Sequence, residues 1–225
     1  MSELLNQKIQ RDFDRLALLP PLAWNHNNHY HSFLVQQLPP NCKNILDIGC
    51  GTGVFSRLLA QRAEEVIAVD FSAKMIEVAQ QQSQCYTNIK YQVADILQWQ
   101  FPVEYFDAIA SIATVHHLPL DVLLPKIKSA LKPGGKLLIL DLVEAKGIED
   151  ILPNLIALPL NWTLHLWKNK RLRPTPEAIA AWREHGSTDK YLTRSQAQQI
   201  YSQYLTGSKV RKHLFWRYSV VWEKL

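Results

Sequence analysis

The stretch Asn44–Asp70, NILDIGCGTGVFSRLLAQRAEEVIAVD, constrains the fold of this chain more than any other. Ile45, Leu46 and Ile48 form the apolar run of a buried parallel strand. Gly49, Gly51 and Gly53 follow at once. Val54, Leu58 and Leu59 recur at helical spacing, Val66–Val69 makes a second apolar run, and Asp70 closes it. The unit reads as strand, glycine loop, helix and strand. Glycines let a backbone turn sharply and lie close to a ligand. A helix beginning there points free N–H groups at that ligand. An acid at the next strand end suits the two hydroxyls of a ribose. A nucleoside cofactor is the expectation.

The loop narrows the choice. A dinucleotide fingerprint is G-x-G-x-x-G, whereas the spacing here is G-x-G-x-G. Asp47 stands two residues before the first glycine. A carboxylate there would repel a pyrophosphate and suit a ligand carrying an ammonium or sulfonium group. The G-x-x-x-x-G-K-[ST] phosphate loop is absent.

Five motifs then stand in order: LDIGCGTG, VIAVDFSAKMIEVA, VADI, FDAIASIATVHHL and LKPGGKLLILDL. Together, over Ile45 to Leu142, they resemble class I S-adenosylmethionine-dependent methyltransferases, on the small-molecule, type 11-like branch. That resemblance implies S-adenosylmethionine as cofactor and S-adenosylhomocysteine as product. Asp70 would take the ribose, its other reading being a helix cap. Asp95 would accept the adenine amino group, supported by the Ile96 backbone; its other reading is a turn residue. Phe71 and Met75 would flank the adenine, although Met75 also reads as core. Asp47 would steer the methionine end and order the loop. Cys50, inside the loop, reads as a small buried residue rather than a reactive thiol. Ser111, in strand 4, completes the expected cofactor set.

Strands are expected near 44–48, 65–70, 89–93, 106–111 and 136–142, with helices between them. This is an α/β chain: a three-layer, doubly wound, mostly parallel sheet. The resemblance adds a closing antiparallel pair in KVRKHLFWRYSVVWEKL. It implies seven strands in the order 3-2-1-4-5-7-6 with strand 7 antiparallel, and a site between strands 1 and 4. One methyltransferase domain over 1–225 is expected. It comprises an N-terminal helical cap (1–40), a cofactor-binding core (41–142), a helical substrate-lid insertion (143–190), and a closing helix with antiparallel strands (191–225). In the cap, Leu4, Leu5, Ile9, Phe13 and Leu16 keep helical spacing; Thr193 or Ser195 would cap the closing helix.

With 225 residues, 47% of them hydrophobic and 20% charged, the chain suits one globular α/β domain. Three cysteines without CxxC spacing argue for a reducing cytoplasm and against a structural zinc. No apolar run is long enough to span a bilayer, and the charged N-terminus lacks a signal-peptide core. The sequence leaves the oligomeric state open.

Methyl transfer asks mainly for placement in a dry pocket. A base is needed only when the acceptor carries a proton that must leave. His116 and His117, after strand 4, are the catalytic candidates; their other reading is a pocket-shaping role. In WNHNNHYHSF, His26 and His29 could share a helix face and His31 could not readily join them, so no metal is expected. His29 and Tyr30 instead suit a pocket lid, with Trp162 from the insertion. The acceptor is expected to be a small molecule. A second reading is a tRNA partner. SIATVHHL resembles wobble-uridine carboxyl methyltransferases, and Lys168, Lys170, Arg171 and Arg173, with Lys209, Arg211, Lys212 and Arg217, form two basic runs. A non-catalytic cofactor-binding module is the third.

Overall fold

The computed structural model describes residues 3–146, 151–187 and 189–225. The side chains of Leu4 and Leu5, two of the expected cap positions, lie outside the described set. In chain order the elements are α1 (Glu3–Leu16), a 3-10 turn (Asn28–Tyr30), α2 (His31–Val35), β1 (Cys42–Ile48), α3 (Val54–Leu59), β2 (Ala63–Asp70), α4 (Ala73–Gln82), β3 (Ile89–Val93) and β4 (Phe106–Ile112). A second 3-10 turn (Val115–His117) precedes α5 (Leu120–Ala130) and β5 (Leu131–Leu142). Then come α6 (Ile151–Asn169), α7 (Pro176–Gly186), α8 (Arg194–Tyr204), β6 (Lys209–His213) and β7 (Arg217–Glu223).

The seven strands form one sheet in the order β3-β2-β1-β4-β5-β7-β6. Pairings through β5 are parallel, and β7 runs antiparallel to both of its neighbours. The central strands are apolar because helices cover both faces. On one face Leu46, Ile48, Ile109 and Leu137 pack with Leu123, Ile127 and Tyr201 from α5 and α8. On the other, Ile45, Val66, Ala108 and Leu138 pack with Leu34, Phe55 and Ile76. β1 and β4 are neighbours whose crossovers run to opposite sides, so their C-terminal ends diverge into a crevice.

Local chemistry explains the element ends beside that crevice. Ser72 caps α4, its hydroxyl accepting from the Met75 amide. Thr193 rather than Ser195 caps α8, in a reciprocal capping box with Gln196. The expected fifth strand at 136–142 begins earlier, at Leu131, because Leu131 pairs with Phe106 across an irregular register.

Candidate active site

β1 delivers the chain into the glycine loop at the sheet's C-terminal edge. Gly49 and Cys50 both donate backbone N–H to Val69 O, at 2.8 and 3.1 Å. Gly49 has φ +68°, and a Cβ there would sit 2.1 Å from Thr114 Oγ1. Gly51, at φ +53°, has only Met75 Sδ within 4 Å of that position and faces open space. Gly53 is the residue before α3 and takes no part in the cavity wall.

Above the loop lies a cavity of about 560 Å³, within the usual range for small-ligand sites. Asp47, Gly49, Cys50, Gly51, Asp70 and Phe71 line one end, with Met75, Asp95 and Ile96 beside them. Asp70 Oδ2 accepts the Gly51 N–H at 2.8 Å and Oδ1 accepts the Ser72 N–H at 2.9 Å. Two donors fix the carboxylate, and each oxygen keeps a lone-pair site for a further donor. Asp70 therefore orders the loop and helix start while lining the cavity. Burial pushes its carboxyl upward, against the pull of the Ser72, Gly51 and Phe71 N–H groups. Asp95 combines its two readings similarly: it accepts from the Leu97 amide and from Gln98 Nε2, and it lines the cavity.

Asp47 is fully buried, and burial raises its carboxyl to about 7 against a 2.6 Å hydrogen bond from Ser56 Oγ. A cation entering here would restore the charge. Cys50 is buried, and burial drives its thiol well above its ordinary value, so it is no nucleophile at neutral pH. Ser111 lies off the cavity: its hydroxyl donates to Ile48 O at 2.9 Å and pins β4 to β1.

The opposite end is a histidine–aspartate network. His116 Nδ1 meets Asp141 Oδ1 at 2.6 Å, and Asp141 Oδ2 is buried with no hydrogen-bond partner. His116 Nε2 stands 3.8 Å from Asp189 Oδ2, and His117 Nδ1 stands 3.6 Å from Asp189 Oδ1. Tyr191 Oη donates to Asp189 Oδ2 at 3.0 Å. His185, on α7, lies between Asp189 (3.9 Å) and Asp12 of α1 (3.6 Å). Burial, reinforced by His116 and His185, pulls the His117 ring down to about 3, so it stays neutral. Its Nε2 is buried and unpartnered. The two candidate histidines thus part: His117 is a weak proton acceptor, and His116 is oriented by a buried carboxylate. His116, His117 and Asp189 bring ligand atoms within 4.8 Å of one another, and could hold a metal ion.

Arg217 on β7 completes the wall. Its Nε donates to Asn27 Oδ1 at 2.7 Å, and its Nη1 donates to Phe215 O and Trp216 O. Burial lowers its guanidinium to about 10, with Asp141, Tyr191 and Tyr30 pulling the other way. It is a buried wall residue and not a surface member of a basic run.

The N-terminal histidines separate. His26 stacks on Phe215 and bonds Asn161 Oδ1 at 2.8 Å, and His31 packs against Phe55. Both line the cavity and are held near 4 by burial. His29 and Tyr30, the expected lid pair, do not line it. Tyr30 turns inward because its buried hydroxyl needs an acceptor, found at Leu214 O (2.8 Å), while Trp24 Nε1 donates to His29 Nδ1. The residues of this segment that line the cavity are Asn25, His26, Asn27, Asn28 and His31. Trp162 is also off the cavity, exposed on α6, whereas Trp182 of α7 lines it.

Sequence reasoning missed Asp141, Asp189, His185 and Tyr191, and placed Arg217 in a basic run rather than in the cavity wall. Asp141 carried the same signal as Asp70, an acid closing an apolar run, in LLILD. The others are brought in by tertiary packing of the insertion and the last strand, and have no local signature.

Comparison with known proteins agrees with this geometry. Residues 45–135 match the model of a methyltransferase domain. An uncharacterized methyltransferase of Mycobacterium tuberculosis is 34% identical over 123 residues, 53% of this chain and 61% of that protein. A ubiquinone biosynthesis O-methyltransferase of Coxiella burnetii is 37% identical over 107 residues, 47% of this chain and 46% of the relative. The match thus spans about half to three-fifths of those relatives' length. The N-methyltransferase NodS of Bradyrhizobium japonicum, solved with S-adenosylhomocysteine, shares the fold at TM-score 0.58 and 16% identity, over 97% of both chains. The fold is that of Rossmann-like methyltransferases, and the matched stretch holds the glycine loop, Asp70 and Asp95. Residues 45–135 are thus similar to methyltransferase domains, and the relatives that match over this region are methyltransferases.

Proposed function

We propose that this protein methylates a small-molecule acceptor bearing an ionisable proton, with S-adenosylmethionine as donor. The observation that carries this reading is the single cavity that joins the Asp70–Gly51 end to the His116–Asp141 pair. α1 and α7 cover it: Phe13 packs edge-on to His117 and His185, and Arg15 reaches Glu184 at 2.9 Å. A covered cavity of this volume suits a small molecule better than a folded tRNA.

When bound, the cofactor supplies an electrophilic methyl group on a sulfonium. Asp70 would hold its ribose by charge-assisted hydrogen bonds, Asp95 and Ile96 its adenine, and Asp47 its cationic end. Phe13, Ile112 and Leu118 exclude water from the far end. His116 lines the cavity with its Nε2 3.8 Å from Asp189 Oδ2; with Nδ1–H donated to Asp141, Nε2 would be the proton acceptor. It would take the acceptor's proton and so free a lone pair on the acceptor oxygen or nitrogen for the methyl group that the cofactor would supply. His117 and Asp189 position this pair.

The test is transfer of labelled methyl from S-adenosylmethionine into metabolite and tRNA fractions. Label is expected in a small-molecule fraction and lost with His116→Ala. Asp141→Asn should lower kcat by about 10²–10⁴ with a smaller change in KM. Label confined to tRNA would overturn the acceptor class. Loss of activity on chelation, restored by a divalent ion, would convert His116, His117 and Asp189 from a base network into a metal site.

A further inference from the structure

α6 is apolar around most of its circumference, and a helix of that kind is normally buried. It is not. Among its described side chains, Pro153, Ala157, Asn161, Leu164, His165 and Asn169 turn toward the rest of the protein. Leu155 (63% exposed), Leu158, Trp162 (53%) and Leu166 lie on the opposite side, at i, i+3, i+7 and i+11. Ile156 and Trp167 (64%) widen the face. Leu172, Ile179 and Trp182 extend it across α7, so that 10 of the 17 exposed large hydrophobics among the described residues fall between 155 and 182. A concentration of this size marks an interaction surface.

The charge pattern selects the occupant. Residues 151–176 contain no Asp or Glu, and include Lys168, Lys170, Arg171 and Arg173. Lys168, Lys170 and Arg173 are exposed at the C-terminal end of the apolar face. Lys168 Nζ lies 4.1 Å above the Trp167 ring. An isologous dimer through this face would set the segment against a copy that is equally free of acids, leaving its cations without a counter-charge. A bilayer surface meets both halves at once. Aliphatic side chains enter the acyl boundary, indoles sit at headgroup level, and lysines reach the anionic phosphates. No helix among the described residues is long and apolar enough to cross a membrane, so α6 would lie in the interface plane.

We propose that α6 and the segment to Arg173 dock this protein onto an anionic lipid surface. Arg171, Pro174, Ala178 and Trp182 also line the cavity. The cavity wall therefore reaches the docked face, and the acceptor would be an amphiphile with an apolar tail drawn from the lipid. That last step alone rests on the reading of the cavity as a methyl-acceptor site; docking stands without it.

The full chain would be floated with vesicles of phosphatidylcholine alone and of phosphatidylcholine with phosphatidylglycerol. Tryptophan emission would be followed with brominated acyl chains as quenchers. Expected results are flotation with the anionic vesicles only and quenching of the indoles. Lys168→Glu with Lys170→Glu should weaken binding by about tenfold or more. Leu158→Glu with Trp162→Glu should abolish it. Both variants should keep S-adenosylhomocysteine binding, which shows that they are folded. Three results would overturn the proposal. The first is no flotation with either vesicle. The second is flotation that both variants leave unchanged. The third is a concentration-dependent dimer, or retention on an acidic carrier protein, that Leu158→Glu with Trp162→Glu breaks while vesicles are ignored. Lost methyl transfer with intact flotation would count against the acceptor reading alone.

Discussion

At the scale of single residues, the two buried carboxylates of the glycine loop make opposite demands. Asp70 is already fixed by two N–H donors, so a ribose would find it preorganised. Asp70→Ala should weaken S-adenosylhomocysteine binding by at least about tenfold, since hydrogen bonds to a charged group are worth about 1.5–3 kcal/mol. Calorimetric titration measures this, and unchanged affinity would remove Asp70 from the site. Asp47 instead sits near 7 because burial disfavours its charge. A sulfonium and ammonium nearby would favour the ionised form and lower that value. The complex would then hold fewer protons than the free protein around neutral pH. Affinity for S-adenosylmethionine should rise with pH through about 7, and binding should release protons into the buffer. Titrations in buffers of different ionisation enthalpy detect that release. Uptake, or no proton change, would place the cation elsewhere.

At the scale of elements, the lid is two helices distant in sequence. Phe13 of α1 touches the rings of His117 and His185, and Asp12 faces His185. Phe13→Ala should leave the base and cofactor groups in place while admitting water. KM for the acceptor should rise several-fold, with a smaller loss in kcat, in steady-state kinetics. A fall in kcat alone would mean that Phe13 shapes the reacting end directly. This element-level view also explains what could be read in the chain beforehand. β1, the loop and β2 were legible because 27 consecutive residues, Asn44–Asp70, carry both the periodicity and the ligand groups. The pairing of His116 with Asp141 spans 25 positions, and that of Arg217 with Asn27 spans 190. No local pattern encodes such a meeting. Tyr30 illustrates the converse failure: the chain suggested a lid position, but the acceptor that turns it inward, Leu214 O, lies in the last hairpin turn.

At the scale of the whole molecule, the histidines set the response to acid. Burial holds His26, His31 and His213 near 4 and His117 near 3, whereas unfolded histidine titrates near 6.5. These values are depressed in the folded state, so the unfolded chain binds more protons once pH falls below 6.5. Their stabilising contribution is fully present above 6.5 and is lost as pH falls through about 4 and then 3. With solvent screening of the part-buried rings, each is worth on the order of 1–2 kcal/mol. Asp47 acts oppositely: its raised value favours the folded state most below the ordinary carboxylate range, and that advantage disappears as pH rises through about 7. Four groups outweigh one, so Tm should fall between pH 6.5 and 4, in scans without cofactor. His26 offers the cleanest check, because it stacks on Phe215 and makes one side-chain hydrogen bond, to Asn161. His26→Phe should lower Tm at neutral pH through the lost hydrogen bond and flatten the acid slope by up to one proton. An unchanged slope would mean that His26 is already solvated before the protein unfolds.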